Sequence, residues 1–300
     1  MVSISRLCEL AGVSRSGYYN YRNNQNYRRI KEEQDYKDFQ LILEAYKFKR
    51  RHKGAKQIKS TLQRQYNINM NLKKIHRLMK KFNLFCPIRK ENPYRKMARM
   101  IKTNNYSNNE LNRQFKLGPG KVILSDITYL FYDNGHKKAY LSSTKDPFTM
   151  QVPAYKLSES LELPFVINTV HMLKGSEAYE LDENAIFHTD QGCHYTSNEF
   201  RALLASEGFL QSMSRRGNCW DNAPQESFFG HMKDELHLNE CHTFEELQNE
   251  VDEYMDYYNN YRYQKRLSNM APNEFAKFIN DGIIPNNLGT SPQTPRVYCS

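Results

Sequence analysis

Apolar positions change their period near residue 120. Before it they recur every three and four residues, the spacing of helix faces. Ile4, Leu7, Leu10 and Val13 share one face of a short helix, and Gly12 followed by Ser14 marks its end and the N-cap of the next. Together they have the pattern of a helix-turn-helix. Residues 30–50 form a charged helix with Phe39, Ile42, Ala45 and Tyr46 on its apolar side. Ile58, Leu62 and Tyr66 are spaced for another helix, and a polar run at 67–71 ends it. Asn71 then caps a further helix with Leu72, Ile75, Leu78, Met79 and Phe82 on one side. Lys73, Lys74, Arg77, Lys80 and Lys81 occupy its other side.

Residues 86–119 are dense in proline, asparagine and glycine and hold no period, so they read as a linker with a domain boundary near 115–120. Beyond it the pattern predicts strands. Residues 121–132 and 137–143 form a hairpin over the turn D-N-G-H, and 147–157 a third strand weakened by Pro153. Helices follow at 160–174, 197–206, 222–238 and 243–260, with short strands at 185–189 and 209–213. Ser197 caps the second helix, Asn222 the third, and Thr243 with Glu246 makes a capping box for the fourth. Strands followed by alternating helices and strands indicate a mixed α/β domain. The expected organisation is an all-α region over 1–115, an α/β domain with a C-terminal helix over 116–280, and a poorly ordered tail over 281–300.

Charge sharpens that division. The 300 residues carry a net +10, but residues 1–120 hold 28 Lys and Arg against 8 Asp and Glu, and residues 121–300 hold 15 against 25. A basic module beside an acidic one points to a polyanion bound by the first. The helix after Asn71 presents Lys73, Lys74, Arg77, Lys80 and Lys81 as candidate DNA contacts. Six cysteines, none in a C-x-x-C pair, fit neither a zinc site nor a disulfide scaffold and read as reduced thiols. No stretch of 18 apolar residues is present, so the expectation is a soluble cytoplasmic protein with no membrane partner.

Three acids stand in unusual places. Asp126 lies inside the run V-I-L-S-D-I-T-Y-L, on the face of Val122, Leu124 and Leu130. Aspartate is depleted in strands, and a carboxylate among apolar groups is costly unless paired or metal-bound. Asp190 ends the strand A-I-F-H-T before Gln191-Gly192, a position used for chemistry in α/β folds and also for plain turns. Glu226 lies in the first turns of a helix, which the helix dipole alone favours. Lys233 follows it by seven residues on the same face, where it can reach a phosphate or simply be solvated. His188 and His194 flank Asp190 and are read as packing or hydrogen-bonding groups.

The flanks S-D-I-T-Y, H-T-D-Q-G and R-G-N-C-W-D-N-A-P-Q-E-S-F-F, with 35 residues between Asp190 and Glu226, closely resemble the insertion-sequence transposases of the IS-three type, the protein of their second reading frame. The resemblance extends to C-E-L-A-G-V-S-R-S-G-Y-Y at 8–19, to 53–84 and to Y-Y-N-N-Y-R-Y-Q near 257–264. It departs at Ile123, where tryptophan is usual, and at Gln264, near where many members have histidine.

The resemblance implies a ribonuclease-H-like core related to retroviral integrases. Asp126, Asp190 and Glu226 would be the catalytic acids and Lys233 a DNA contact. It implies two Mg²⁺ ions, with Mn²⁺ able to substitute, Asp126 bridging them and Asp190 and Glu226 each holding one. Water would free a 3′-OH at the element's end, and that 3′-OH would attack target DNA. The partners implied are the terminal repeats, target DNA, further copies of the chain on paired ends, and a first-reading-frame protein.

Overall fold

The computed structural model describes residues 3–87, 117–214, 223–286 and 288. The chain divides into two units, Met1–Cys86 and Pro87–Ser300. The first is helical, with α1 (Ile4–Leu10), α2 (Arg15–Asn23), α3 (Gln25–Lys47), α4 (Ala55–Tyr66) and α5 (Leu72–Lys81). Local chemistry sets the ends. Ser3 and Ser14 accept the backbone N–H groups of Arg6 and Gly17, and Asn71 accepts that of Lys73. Asn67, in the left-handed conformation, closes α4. Ile42 and Ala45 of α3, Ile58 and Leu62 of α4, and Ile75 and Leu78 of α5 meet in a core where all six are fully buried. Phe39 stacks on Phe82 with ring centroids 4.3 Å apart.

The second unit is built on a five-stranded sheet: β1 (Val122–Tyr132), β2 (Lys137–Lys145), β3 (Tyr155–Ser158), β4 (Ile186–Thr189) and β5 (Leu210–Met213). The strand order is β3-β2-β1-β4-β5. β1, β2 and β3 pair antiparallel, and β4 and β5 continue from β1 in parallel. The hairpin turns at Asp133–Gly135, with Asp133, Asn134 and Gly135 all at positive φ, as the sequence D-N-G favours.

Helices cover both faces. α6 (Leu163–Lys174) and α7 (Asn198–Ser206) pack Val166, Val170, Phe200 and Leu204 against Ile123 and Phe187. α8 (Ala223–Glu235) and α9 (Phe244–Asn260) pack Phe228, Met232, Val251 and Tyr254 against Leu130, Tyr132 and Leu141. Full burial of one such aromatic contributes roughly 2–3 kcal/mol. α10 (Pro272–Asp281) adds Phe275 to a smaller cluster with Met150 and Leu267. Arg262 locks the end of α8 to the chain after α9 through Glu235, at 2.8 and 3.1 Å. This mixed sheet between two helix layers is a ribonuclease-H-like arrangement.

Several expected elements differ in detail. Of 147–157, only Tyr155–Ser158 is strand. Asp146 nucleates a turn instead, accepting the N–H groups of Phe148 and Thr149, of Gly120, and the Tyr179 hydroxyl. α3 starts five residues before the expected helix, and Leu7, Leu10 and Val13 stay exposed although they share a face. Ile123 is fully buried against α6 and α7. The linker over 88–116, the Asn222 cap and the tail from 289 lie outside the described residues.

Candidate active site

Three elements converge on Asp126. It lies midway along β1, next to β4 through the pairs Val122↔Ile186, Ile123↔Phe187 and Leu124↔His188. Two residues further in that register, Asp126 comes level with Asp190, the residue after β4. The third element is α8. Its buried stripe runs through Gln225, Phe228, Phe229 and Met232, and this rotation turns Glu226 to the exposed flank.

Gln225 fixes where α8 begins. It is fully buried, and its Nε2 donates to Ser143 Oγ at 2.6 Å and to the Ser143 carbonyl at 3.3 Å. Ser143 is the cross-strand partner of Asp126. The residue before Glu226 is thereby tied to the residue opposite Asp126. Sequence reading missed this link, although a glutamine heading an apolar stripe signals a buried polar anchor.

The electrostatics show how near the acids stand. The Asp126 carboxyl is pushed up to about 7, by burial first and then by the charges of Asp190 and Glu226, while the Ile127 N–H and Lys233 oppose the rise. Asp126 Oδ1 accepts that N–H at 2.8 Å, and Asp190 Oδ1 accepts the Gly192 N–H at 2.8 Å. A Cβ at position 192 would lie 2.9 Å from Asp190 Oδ1, so the glycine of H-T-D-Q-G permits the carboxylate's close turn. Lys233 also sits over the Tyr129 ring, 4.4 Å from its centroid.

Neighbouring residues support this geometry. His188 is fully buried, with its ring nitrogens 3.0 Å from Ser212 Oγ and Ser214 Oγ. His194 Nε2 lies 3.0 Å from the Leu161 carbonyl. Both imidazoles are thus tied into the fold. Buried Tyr195 and Ser125 share a hydroxyl contact at 3.2 Å, and burial, then Asp126, raise the tyrosine's pKa. Gln264 donates to the Tyr258 hydroxyl at 3.4 Å.

The set is all oxygen, and its central acid, Asp126, resists ionisation, which suits a hard divalent cation. Among the described residues no three His, Cys, Asp or Glu side chains close to a ligating group as placed.

The basic helix of the first unit is used differently. Arg77 grips Asp35 with two bonds of 2.7 Å, Lys81 reaches the same carboxylate at 3.0 Å, and Lys74 reaches Asp38 at 2.5 Å. Lys73 and Lys80 are exposed.

The chain matches the family model of an integrase core domain over 117–219 and again over 226–277, and that of an HTH-like domain over 33–92. It is 30% identical to a 31 kDa protein of insertion element IS600 from Shigella sonnei, over 90% of this chain and 97% of that one. It is 34% identical to the InsK protein of insertion sequence element IS150 from Escherichia coli K12, over 78% and 81%. The chain belongs to the insertion-sequence transposases of the IS-three type. The transposase InsF of insertion sequence IS3A, also from Escherichia coli K12, is 28% identical over 91% and 93%. The transposase is accordingly a polynucleotidyl-transferase-type enzyme of DNA transposition, with a helical HTH-like region ahead of its integrase core. No described helix is long and apolar enough to cross a membrane.

Proposed function

We propose that the transposase binds the ends of its element, cuts them and joins the freed 3′ ends to target DNA, with Asp126, Asp190 and Glu226 as the catalytic acids. One observation carries this reading: Asp126 is half-buried within electrostatic reach of two further carboxylates, which oppose its ionisation. Such crowding costs folding energy and offers the fold nothing in return.

The three acids would hold Mg²⁺, or Mn²⁺ in its place, at two ions per site. Bound there, divalent ions supply positive charge at the reacting phosphate and lower the pKa of an attacking water. The protein's part is orientation. The Ile127 and Gly192 N–H groups fix one oxygen each of Asp126 and Asp190. Gln225 holds the start of α8, and so Glu226, against β2. Lys233 reaches the same locus and would take a DNA phosphate. Each displacement breaks one P–O bond as it forms another, so joining needs no external energy source. Lys73 and Lys80, exposed on α5, would contact the terminal repeats, while Lys74, Arg77 and Lys81 also hold α5 to α3. Paired ends require at least two copies of the chain, and a first-reading-frame protein is the further partner proposed.

The test is cleavage and strand transfer on labelled element-end DNA with Mg²⁺ or Mn²⁺, comparing wild type with Glu226→Gln. Metal-dependent joined products that vanish in the variant are expected. Cutting without joining would make the protein a nuclease of the same fold. Binding without chemistry, even with the first-frame partner present, would make it a regulatory DNA-binding protein.

A further inference from the structure

Past the catalytic strand position, β1 presents two large rings to solvent. Tyr129 is 53% exposed and Phe131 50% exposed, and they pack edge to face with centroids 5.3 Å apart. They follow Ile123 and Ile127 on one face of the strand, beyond the point where α6 and α7 cover it. Their cross-strand partners are Tyr140 and Lys138. Lys138 lies over the Tyr140 ring at 4.9 Å and Lys233 over the Tyr129 ring at 4.4 Å. Two exposed aromatics are thus flanked by two cations. β4 ends at Thr189, so among the described residues no strand pairs that edge of β1 from Asp126 onward. Lys233 acts on Asp126 and on Tyr129 together. At about 3.4 Å per residue the rings follow Asp126 along the strand by about 10 Å for Tyr129 and about 17 Å for Phe131, on the strand's other face, and Lys233 links the two sides at the open edge.

We infer that Tyr129 and Phe131, with Lys138 and Lys233, form a stacking platform for unpaired bases of DNA held at the catalytic site. The inference rests on the proposed DNA-cutting role and adds where bases next to the cut are received. Bare rings on a strand attract whatever offers a flat apolar face, and the flanking ammonium groups select a polyanion. Single-stranded DNA combines both, because its bases leave the stack and its phosphates stay charged. A duplex keeps its base faces covered and offers the rings little. A second copy of the chain would bring two like-charged lysine pairs together.

The test is binding by the full chain in EDTA, using a single-stranded oligonucleotide with an internal 2-aminopurine and a blunt duplex of the same sequence. Wild type should quench the 2-aminopurine fluorescence. The Tyr129→Ala/Phe131→Ala double variant should lose about tenfold or more in single-strand affinity together with the quenching, and keep its duplex affinity. Tyr129→Trp should preserve both. Since both rings are exposed, circular dichroism should show the double variant folded. Unchanged single-strand binding, or equal losses on both DNAs, would overturn the inference. So would a dimer in sedimentation that the double variant dissolves without altering DNA binding. Because no metal is present, the assay is independent of cleavage: a protein that stacks bases but cannot cut would refute the catalytic reading alone, and one that cuts without stacking would refute the platform alone.

Discussion

Two aspartates, Asp35 buried in the first unit and Asp126 half-buried in the second, meet opposite fates. Asp35 of α3 is 4% exposed, and Arg77 and Lys81 of α5 close on it. The Arg77 hydrogen bonds hold its carboxyl far below the usual carboxylate range. Asp126 of β1 is pushed the other way, up to about 7, by burial and by two neighbouring acids. In the first unit the charge is neutralised by residues of the same fold. In the second it is left facing further negative charge. A buried acid with its counter-charge in the fold is a structural joint, while one crowded by other acids is the place proposed here for a cation.

The largest contrast should lie in chemistry. Asp126→Asn and Glu226→Gln should each lower strand transfer at least about a thousandfold, since each removes a ligand charge the reaction needs. Neither should lower the melting temperature in metal-free buffer. Asp35→Asn should do the reverse in stability, costing about 2–3 kcal/mol in denaturant unfolding of the helical unit. That is below the range for a fully buried pair because Arg77 is 47% exposed.

The two aspartates should also carry opposite pH signatures. A depressed folded pKa gives stability that is present above the unfolded value and lost on acidification, so the Asp35 contribution should fade as pH falls below about 4. A raised folded pKa gives stability that is present below the unfolded value and lost as pH rises through the folded one. In metal-free protein the Asp126 contribution should therefore decline between about pH 4 and 7. Asp126→Asn should be the more stable protein at pH 8 by roughly 2 kcal/mol, after discounting for partial solvent contact, and Mg²⁺ should remove the difference. Thermal unfolding across pH, with and without Mg²⁺, reads both signs.

The smallest effect expected is at Gln225. Gln225→Ala cuts the tie to Ser143, and turnover should fall about tenfold with metal affinity weakened, whereas Gln225→Glu should not restore it because it adds a fourth acid. Wild-type turnover in Gln225→Ala would show that the buried stripe alone orients α8.

The sequence made Asp126 legible because it broke a strand's apolar run, and the spacing and flanks of Asp190 and Glu226 completed the set. Asp35 was not legible. It sits in the polar stretch Q-D-Y-K-D of a charged helix, and only the docking of α5 buries it. The same docking engages Lys74, Arg77 and Lys81, which the helical wheel alone marks as a uniform basic face. The residues 147–154 looked like strand because apolar groups alternate there, but the Asp146 turn outcompetes pairing by satisfying several backbone donors at once. The fold class followed from strand content and the resemblance, whereas the strand order needed the structure. The link from Gln225 to Ser143 joins residues 82 apart and needs the fold to be seen.

The state of the Asp126 carboxyl decides whether the three acids share a cation. ¹³C NMR of carboxyl-labelled aspartate, with the resonance assigned by its loss in Asp126→Asn, would titrate this group directly. A midpoint near 7 is expected in metal-free protein, with a fall of several pH units when Mg²⁺ is added. A midpoint near 4 that Mg²⁺ leaves unmoved would mean that the three acids do not form a common cation site, and would contradict the account.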